Sequence, residues 1–326
     1  IKKILITGGA GYVGAILVPR LLEENYQVTV IDLMIFGDHV LNENPKLLKI
    51  RGDIRDTDLL KEVIPGHNAV IHLACISNDP SFELNPELGK SINFEAFRPL
   101  VEISKKKGIE RFIYASSSSV YGIKNEPNVH EGMKLEPLTD YSLYKAKCEE
   151  ILSEYQSEKF STITIRPATV CGYSPRQRLD VVVNILTNLA IHNREISVFG
   201  GNQLRPNIHI SDMVEIYLLL LTAPKEKIAG EIFNGGYENL SVLQLAKTVR
   251  DVIGNDVVLK TTPTDDNRSY HISSKKIFEV LEFSASHTIR DAVYDLQKAF
   301  DKGLIPNSMN DERYFNIKRM QSINLK

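Results

Sequence analysis

The chain has 326 residues, 43% apolar and 25% charged, with a formal net charge of −2. That length supports one big domain or two intimately joined ones, and the balanced charge excludes nucleic acid or an anionic membrane surface as the main partner. Cys75, Cys148 and Cys171 are far apart, odd in number and without metal-ligand spacing, which predicts reduced thiols in a cytoplasmic protein and no metal site.

Along the chain, apolar β-branched runs alternate with helical patterns. "KKILITG" is followed by the amphipathic "AGYVGAILVPRLLEEN", then by "YQVTVIDLM". The opening strand leaves no room for a signal peptide. Next come "KLLKIRGD", "NAVIHLA", a long helical stretch near 86–107, "ERFIYASS", a helix holding Tyr141, and "STITIRP". Short apolar strands separated by helices imply right-handed βαβ units around a parallel sheet. After about residue 170 the pattern loosens into loops with helices near 181–192, 211–222 and 241–253. "IYLLLL" in the second of these helices is too short for a membrane span. The expected architecture is a doubly wound parallel sheet over 1–170, with a smaller lobe over 171–326 resting on the strand C-termini, where such sheets hold ligands. Some segments of the lobe are expected to return to the first domain. The last fifteen residues are polar and charged, which predicts a loosely held tail.

"TGGAGYVG" places Gly8, Gly11 and Gly14 between a strand and a helix. That spacing suits a tight turn, a close backbone approach to a pyrophosphate, and close packing of helix on sheet. The helix N-terminus offers free N–H groups and a positive dipole end to phosphate. The second strand ends on Asp32, about twenty residues past the turn, where a carboxylate accepts hydrogen bonds from ribose hydroxyls and repels a 2′-phosphate. Leu33 and Met34 follow it rather than an arginine, which favours NAD over NADP. Asp53 in "RGDIRD" is placed either to reach the adenine or to stand as a solvent-facing loop acid.

Four of the thirteen tyrosines have a lysine four residues on: Tyr141, Tyr155, Tyr294 and Tyr314. Only Tyr141 opens a helix shortly after the hydroxyl cluster "SSSSVYG" at a strand end, 24 residues past Ser117. Oxidising an alcohol needs a base while hydride leaves the carbon, and a free phenol with a pKa of about 10 is too weakly ionised at neutral pH. Lys145, one helical turn on and on the same face, together with an oxidised nicotinamide, favours the phenolate. Ser117 would align the substrate oxygen, and Lys145 could hold the nicotinamide ribose.

These motifs together resemble the extended short-chain dehydrogenase/reductase family, in its NAD-dependent nucleotide-sugar epimerase/dehydratase branch, over nearly the whole chain. The resemblance implies an α/β protein with a Rossmann-type sheet and a smaller C-terminal α/β substrate-binding lobe. It implies Ser117, Tyr141 and Lys145 as the catalytic group. The implied cofactor wall is Gly8, Gly11, Tyr12, Val13, Gly14, Asp32, Asp53, Ile54 and Ala74, joined by Tyr141 and Lys145. Proline often precedes the family's tyrosine; Asp140 stands there here. "QLRPNIHISDM" and "DDNRSYHISSKKI" resemble segments whose arginines contact the substrate diphosphate, which maps to Arg205 and Arg268. Thr169 stands where the family often has asparagine. "SPRQRLD", with Arg176 and Arg178, resembles a loop in enzymes that include some acting on nucleotide-linked heptoses. Ser118 is expected at the substrate, and Ser77 and Asn78 are candidates for sugar-hydroxyl recognition or ordinary solvated loop residues.

The resemblance implies a nucleotide-diphosphate sugar as substrate, NAD as cofactor and a homodimer formed through the helix near 86–107 and the helix starting at Tyr141. The leading expectation is a 4-epimerase working through a transient 4-keto sugar. A net C4 dehydrogenase or 4-keto reductase is the alternative. The related 4,6-dehydratases carry an Asp–Glu pair after the catalytic hydroxyl residue, where this chain has Ser118 and Ser119. A non-enzymatic dinucleotide sensor on the same scaffold would commonly lose the Tyr or the Lys, and both are present.

Overall fold

The computed structural model describes residues 1–264, 269 and 271–326. In the first part, strands β1 (Lys3–Thr7), β2 (Gln27–Asp32), β3 (Leu47–Arg51), β4 (Ala69–His72) and β5 (Arg111–Ala115) are interspersed with helices α1 (Gly14–Glu23), α2 (Thr57–Val63), α3 (Asp79–Glu83), α4 (Pro86–Lys90) and α5 (Phe97–Lys106). Helix α6 (Asp140–Tyr155) leads into β6 (Ser161–Pro167). Beyond it lie β7 (Thr169–Cys171), α7 (Val182–Asn193), β8 (Glu195–Phe199), β9 (Leu204–His209), α8 (Ile210–Thr222), α9 (Lys225–Ile228) and β10 (Ile232–Gly235). The chain ends through β11 (Glu238–Ser241), α10 (Val242–Ile253), β12 (Val258–Thr262), α11 (Lys275–Leu281), α12 (Ile289–Asp301) and α13 (Asn316–Ser322).

Seven strands form a parallel sheet in the order β10-β6-β5-β4-β1-β2-β3. Strand β1 pairs with β2 on one side and β4 on the other, so the winding reverses there. Loops leaving β1 and β4 diverge, which opens a crevice beyond the strand C-termini. Ile4 and Ile6 face a core shared with α1 and α8, while Leu5 faces one shared with α2, α5 and α6. That alternation is the two-residue period of a strand, and burial on both faces explains the unbroken apolar runs of the sequence.

The second body is smaller. It holds a three-stranded sheet in the order β11-β9-β7 and a parallel pair of β12 with β8. Val183 of α7, Leu245 of α10 and Val293 of α12 share its core. Strand β10 and helix α8 rejoin the main sheet, so the chain crosses between the two bodies more than once.

Two local expectations need correction. The long helix near 86–107 is interrupted by a π-helical turn at Ser91–Glu95 between α4 and α5. Within that turn the Asn93 side chain accepts from Ile76 N at 2.8 Å and donates to Ile76 O at 2.9 Å. The wider turn thus holds the loop after β4, a common use of π-turns near functional sites. The last fifteen residues are not a loose tail. Asn316 and Met320 are buried, Arg319 Nε donates to the Ile35 carbonyl at 2.5 Å, and Arg55 donates to the Lys326 carbonyl at 2.9 Å. The polar composition misleads because those polar groups are anchors onto the first domain, with Met320 as the apolar plug. Among the described residues no helix is long and apolar enough to cross a membrane.

His72 sits in the middle of this sheet, 3% exposed, with Nδ1 2.6 Å from the Thr7 hydroxyl on the adjacent strand. Burial pulls its pKa down to about 3, with Lys145 adding to the effect. The unfolded chain takes up this proton near pH 6.5 and the folded chain does not. The associated stability is therefore complete above about pH 6.5 and is lost as pH falls toward 3. Denaturant unfolding at pH 7 and pH 5 should show the native chain losing roughly 2 kcal/mol more than His72→Gln over that interval. Equal losses in both proteins would show that His72 does not stay neutral.

Candidate active site

Apart from Arg268, which lies outside the described residues, every site residue expected from the sequence lines one cavity of about 520 Å³ beyond the strand C-termini. Gly8, Gly11, Tyr12, Val13 and Gly14 form one wall after β1. Gly8 has φ +76, and a Cβ there would sit 2.5 Å from the Ala74 nitrogen, so only glycine suits this crossing of the β1 and β4 loops. A Cβ on Gly14 would collide with the Gly9 carbonyl. Asp32 ends β2, and its two oxygens accept from Ala10 N at 3.0 Å and Met34 N at 2.8 Å. Burial raises its pKa, while those backbone donors and Arg176 oppose the rise.

Asp53 is neither a free loop acid nor unengaged. Arg55 grips both of its oxygens, Nε at 3.0 Å and Nη2 at 2.6 Å from Oδ2, with Nε also 3.1 Å from Oδ1. Partial burial works against ionisation, but the guanidinium holds the carboxyl below its ordinary range. Ile54 and Ala74 complete this side.

At the other end, α6 begins at a capping box made by Thr139 and Ser142, which fixes where Tyr141 enters the first turn. Ser117 and Tyr141 line the same cavity, and Ser117 Oγ lies 2.8 Å from Ser119 Oγ. Lys145 is 4% exposed, donates to the Ala115 carbonyl at 2.7 Å, and stands 5.8 Å from the centre of the Tyr141 ring. Burial pushes the Tyr141 pKa upward, and Cys75 and Asp79 add to that. Arg178 and the neighbouring Ser117 hydroxyl pull it down. The other three tyrosines with a lysine four residues on are elsewhere: Tyr155 donates to Glu102 on the surface, Tyr294 is exposed, and Tyr314 packs in a separate cluster.

The expected substrate residues divide by what already holds them. Asn78 caps α3, accepting from Ser81 N at 3.0 Å, and has φ +74. Ser77 Oγ accepts from Arg178 Nη1 at 3.2 Å and from Asn316 Nδ2 at 2.9 Å. Arg178 also donates to Asp180 at 2.8 Å. Arg176 donates to Asn316 Oδ1 at 2.5 Å, and its guanidinium lies 3.5 Å from the Phe36 ring centre. Thr169, Ser118 and Arg205 line the same cavity, the last with Nη1 2.9 Å from the Leu204 carbonyl. Among the described residues, no group of three or more His, Cys, Asp or Glu could hold a metal ion.

Sequence reasoning missed a support beneath the site. Arg166 of β6 donates to Glu149 of α6 at 2.6, 3.0 and 3.2 Å and to the Tyr121 hydroxyl at 2.8 Å. Ser116 also donates to Glu149, and Tyr121 donates to Asn234 of β10 at 2.7 Å. The available signal was spacing: Glu149 lies eight residues, just over two turns, past Tyr141 on the same helix. Asn316 was missed as well, because nothing local marks a tail asparagine as part of a cavity wall.

The profile of the NAD dependent epimerase/dehydratase family matches residues 4–236. The chain belongs to that family. It is 30% identical to an uncharacterized UDP-glucose epimerase, YtcB, of Bacillus subtilis, over 89% of this chain and 95% of the relative. It is also 30% identical to dTDP-D-glucose 4,6-dehydratase of Mus musculus, over 77% of this chain and 73% of the relative. Its structure matches UDP-glucose 4-epimerase of Thermotoga maritima with a TM-score of 0.84 at 25% identity, covering 93% of this chain and 99% of that one. This is a family of NAD-dependent nucleotide-sugar enzymes, and NAD fits the wall described here. The glycine turn leaves room for a diphosphate, and the carboxylate of Asp32 is fixed at the edge where ribose hydroxyls would lie.

In this epimerase/dehydratase chain the Glu149–Arg166 pair is 5% and 3% exposed. Removing one partner strands the other charge. Glu149→Ala should cost about 3–5 kcal/mol, whereas Glu149→Met combined with Arg166→Met should cost clearly less. Denaturant midpoints for the two variants check this; equal losses would mean that the pair is not acting as a unit.

Proposed function

We propose that this chain interconverts the C4 epimers of a nucleotide-diphosphate hexose or heptose. The supporting observation is a proton-transfer group, Tyr141 with Ser117, in a cavity where the neighbouring residues, Ser118 and Ser119, replace the acids a dehydratase needs. Relatives bearing epimerase and dehydratase names are equally similar, so overall identity does not choose between them. The side chains do.

Bound NAD supplies hydride acceptance and its return. Tyr141 takes the proton from the C4 hydroxyl and gives one back to the 4-keto oxygen after the sugar has turned over. Ser117 aligns that oxygen through its hydroxyl. Lys145, fixed to the end of β5, stabilises negative charge on the phenol and offers donors to the cofactor ribose. Elimination of water across C5–C6 needs a further acid and base beside the sugar. The carboxylates lining the cavity are otherwise engaged: Asp32 with backbone N–H groups, Asp53 with Arg55, Asp180 with Arg178, and Asp79 with Thr139 at 2.5 Å.

The test is product analysis with UDP-, dTDP-, GDP- and CDP-sugars in the presence of NAD. A C4 epimer of unchanged mass is expected, with no net reduction of cofactor. A product lighter by one water would replace this reading with dehydration, and stoichiometric NADH would replace it with net C4 oxidation. Tyr141→Phe should lower turnover by roughly 10²- to 10⁴-fold while cofactor binding persists. Turnover surviving that change would remove Tyr141 from the proton-transfer role.

A further inference from the structure

The loop between β7 and α7 carries Arg176, whose burial the reaction described above does not explain. Arg176 is 4% exposed, and its Nε has no hydrogen-bond partner. Its Nη2 is held by Asn316 at 2.5 Å and its Nη1 only weakly by the Gln177 carbonyl at 3.4 Å. Among the described residues no carboxylate lies within ion-pair distance of it. The charged and polar groups around it are Arg178, Asp180, Asp32 and Tyr12. Burial and the like charge of Arg178 pull its pKa down to about 9, so this cation lacks a counter-charge. Arg176 lines the cavity, and a buried guanidinium with an unpartnered donor calls for an anion.

The location says which anion. The same loop is fastened directly to the glycine turn: Ser174 Oγ donates to the Tyr12 carbonyl at 2.8 Å, and the Tyr12 hydroxyl donates to the Gly172 carbonyl at 2.6 Å. Asn184 of α7 secures that hydroxyl from the other side at 3.0 Å. Arg176 therefore belongs to a loop fastened beside the N-terminus of α1 and lines the same cavity as the glycine turn. Arg178, two residues on, donates through Nη1 to Ser77 and so is occupied there.

We propose that Arg176 is a ligand of the NAD diphosphate, delivered by the second lobe, so that the cofactor is held between the glycine turn and the loop 172–181. The assignment moves Arg176 from the sugar-nucleotide side of the cavity to the cofactor side. It does not depend on which reaction occurs at C4. Asn316 and Phe36 are its positioning residues: one fixes the guanidinium edge, the other supports its face.

Ligand binding by titration calorimetry, without turnover, tests this with Arg176→Gln and Arg176→Lys. In Arg176→Gln, ADP-ribose and NAD should bind roughly 10- to 100-fold more weakly, as expected for loss of a charge-assisted contact. Adenosine, which has no phosphate, and UDP, which belongs to the substrate side, should bind as in the native chain. Arg176→Lys should fall between the two proteins. NAD carried through purification should dissociate faster from both variants. A selective loss of UDP binding would assign the arginine to the substrate diphosphate instead. Equal weakening of adenosine and ADP-ribose, or no weakening of either, would also overturn the proposal.

Discussion

The site depends on how one helix is fastened to the end of one strand. Positions 141, 145 and 149 of α6 share a face, being four residues apart. Lys145 bonds to the carbonyl of Ala115, and Glu149 accepts from Ser116 and from Arg166 of the neighbouring strand. Two consecutive turns are thereby locked to consecutive residues at the tip of β5. The third position on the face, Tyr141, is thereby held in the cavity that Ser117 also lines. A buried ion pair is a costly fastening, because both charges lose water. It provides direction: Arg166 also holds Tyr121, and Tyr121 holds Asn234, so β5, β6, β10 and α6 have one mutual register.

A second constraint concerns closure. The glycine turn offers phosphate a good surface on one side only. The opposite wall comes from sequence far away, through the 172–184 segment fastened to Tyr12 and through the last residues of the chain. Asn316 is the joint between these parts. Its side chain engages Arg176 and Ser77, and its backbone N–H donates to Asp180 at 2.9 Å. A single side chain thus touches residues from the loop after β4, the second lobe and the C-terminal helix. Displacing α13 would open the cofactor side and loosen the Arg176 geometry together.

The parts that could be read from the sequence were those with local causes. A glycine turn between strand and helix, an acid at the end of the next strand and a Tyr/Lys pair after a serine cluster each carry their reason within a few residues. The parallel order of the sheet followed from alternating apolar strands and helices. What could not be read depends on contacts between distant segments. Glu149 with Arg166, Asn316 with Arg176, and Tyr12 with Gly172 pair residues separated by 17, 140 and 160 positions. Composition even pointed the wrong way for the tail, since charged residues that bind carbonyls and carboxylates look the same in sequence as charged residues in water. Asp53 could not be decided for the same kind of reason: its partner Arg55 was visible, but the folding back that joins them was not.

Burial sets the terms on which the phenol can work. Excluding water from around Tyr141 makes its ionisation harder, which taken alone opposes the role of a base. The same exclusion strengthens every remaining charge, because a cation several ångströms away is poorly screened in a dry cavity. Arg178 from the second lobe therefore acts with more force than it would at a surface, and Lys145 stands 5.8 Å from the ring. The neighbouring Ser117 hydroxyl also favours the charged form. A phenol left in water needs no such company and gains little from it. The cations and the partly buried phenol are thus one solution: each is unfavourable alone, and the cavity that makes them so also strengthens their mutual attraction.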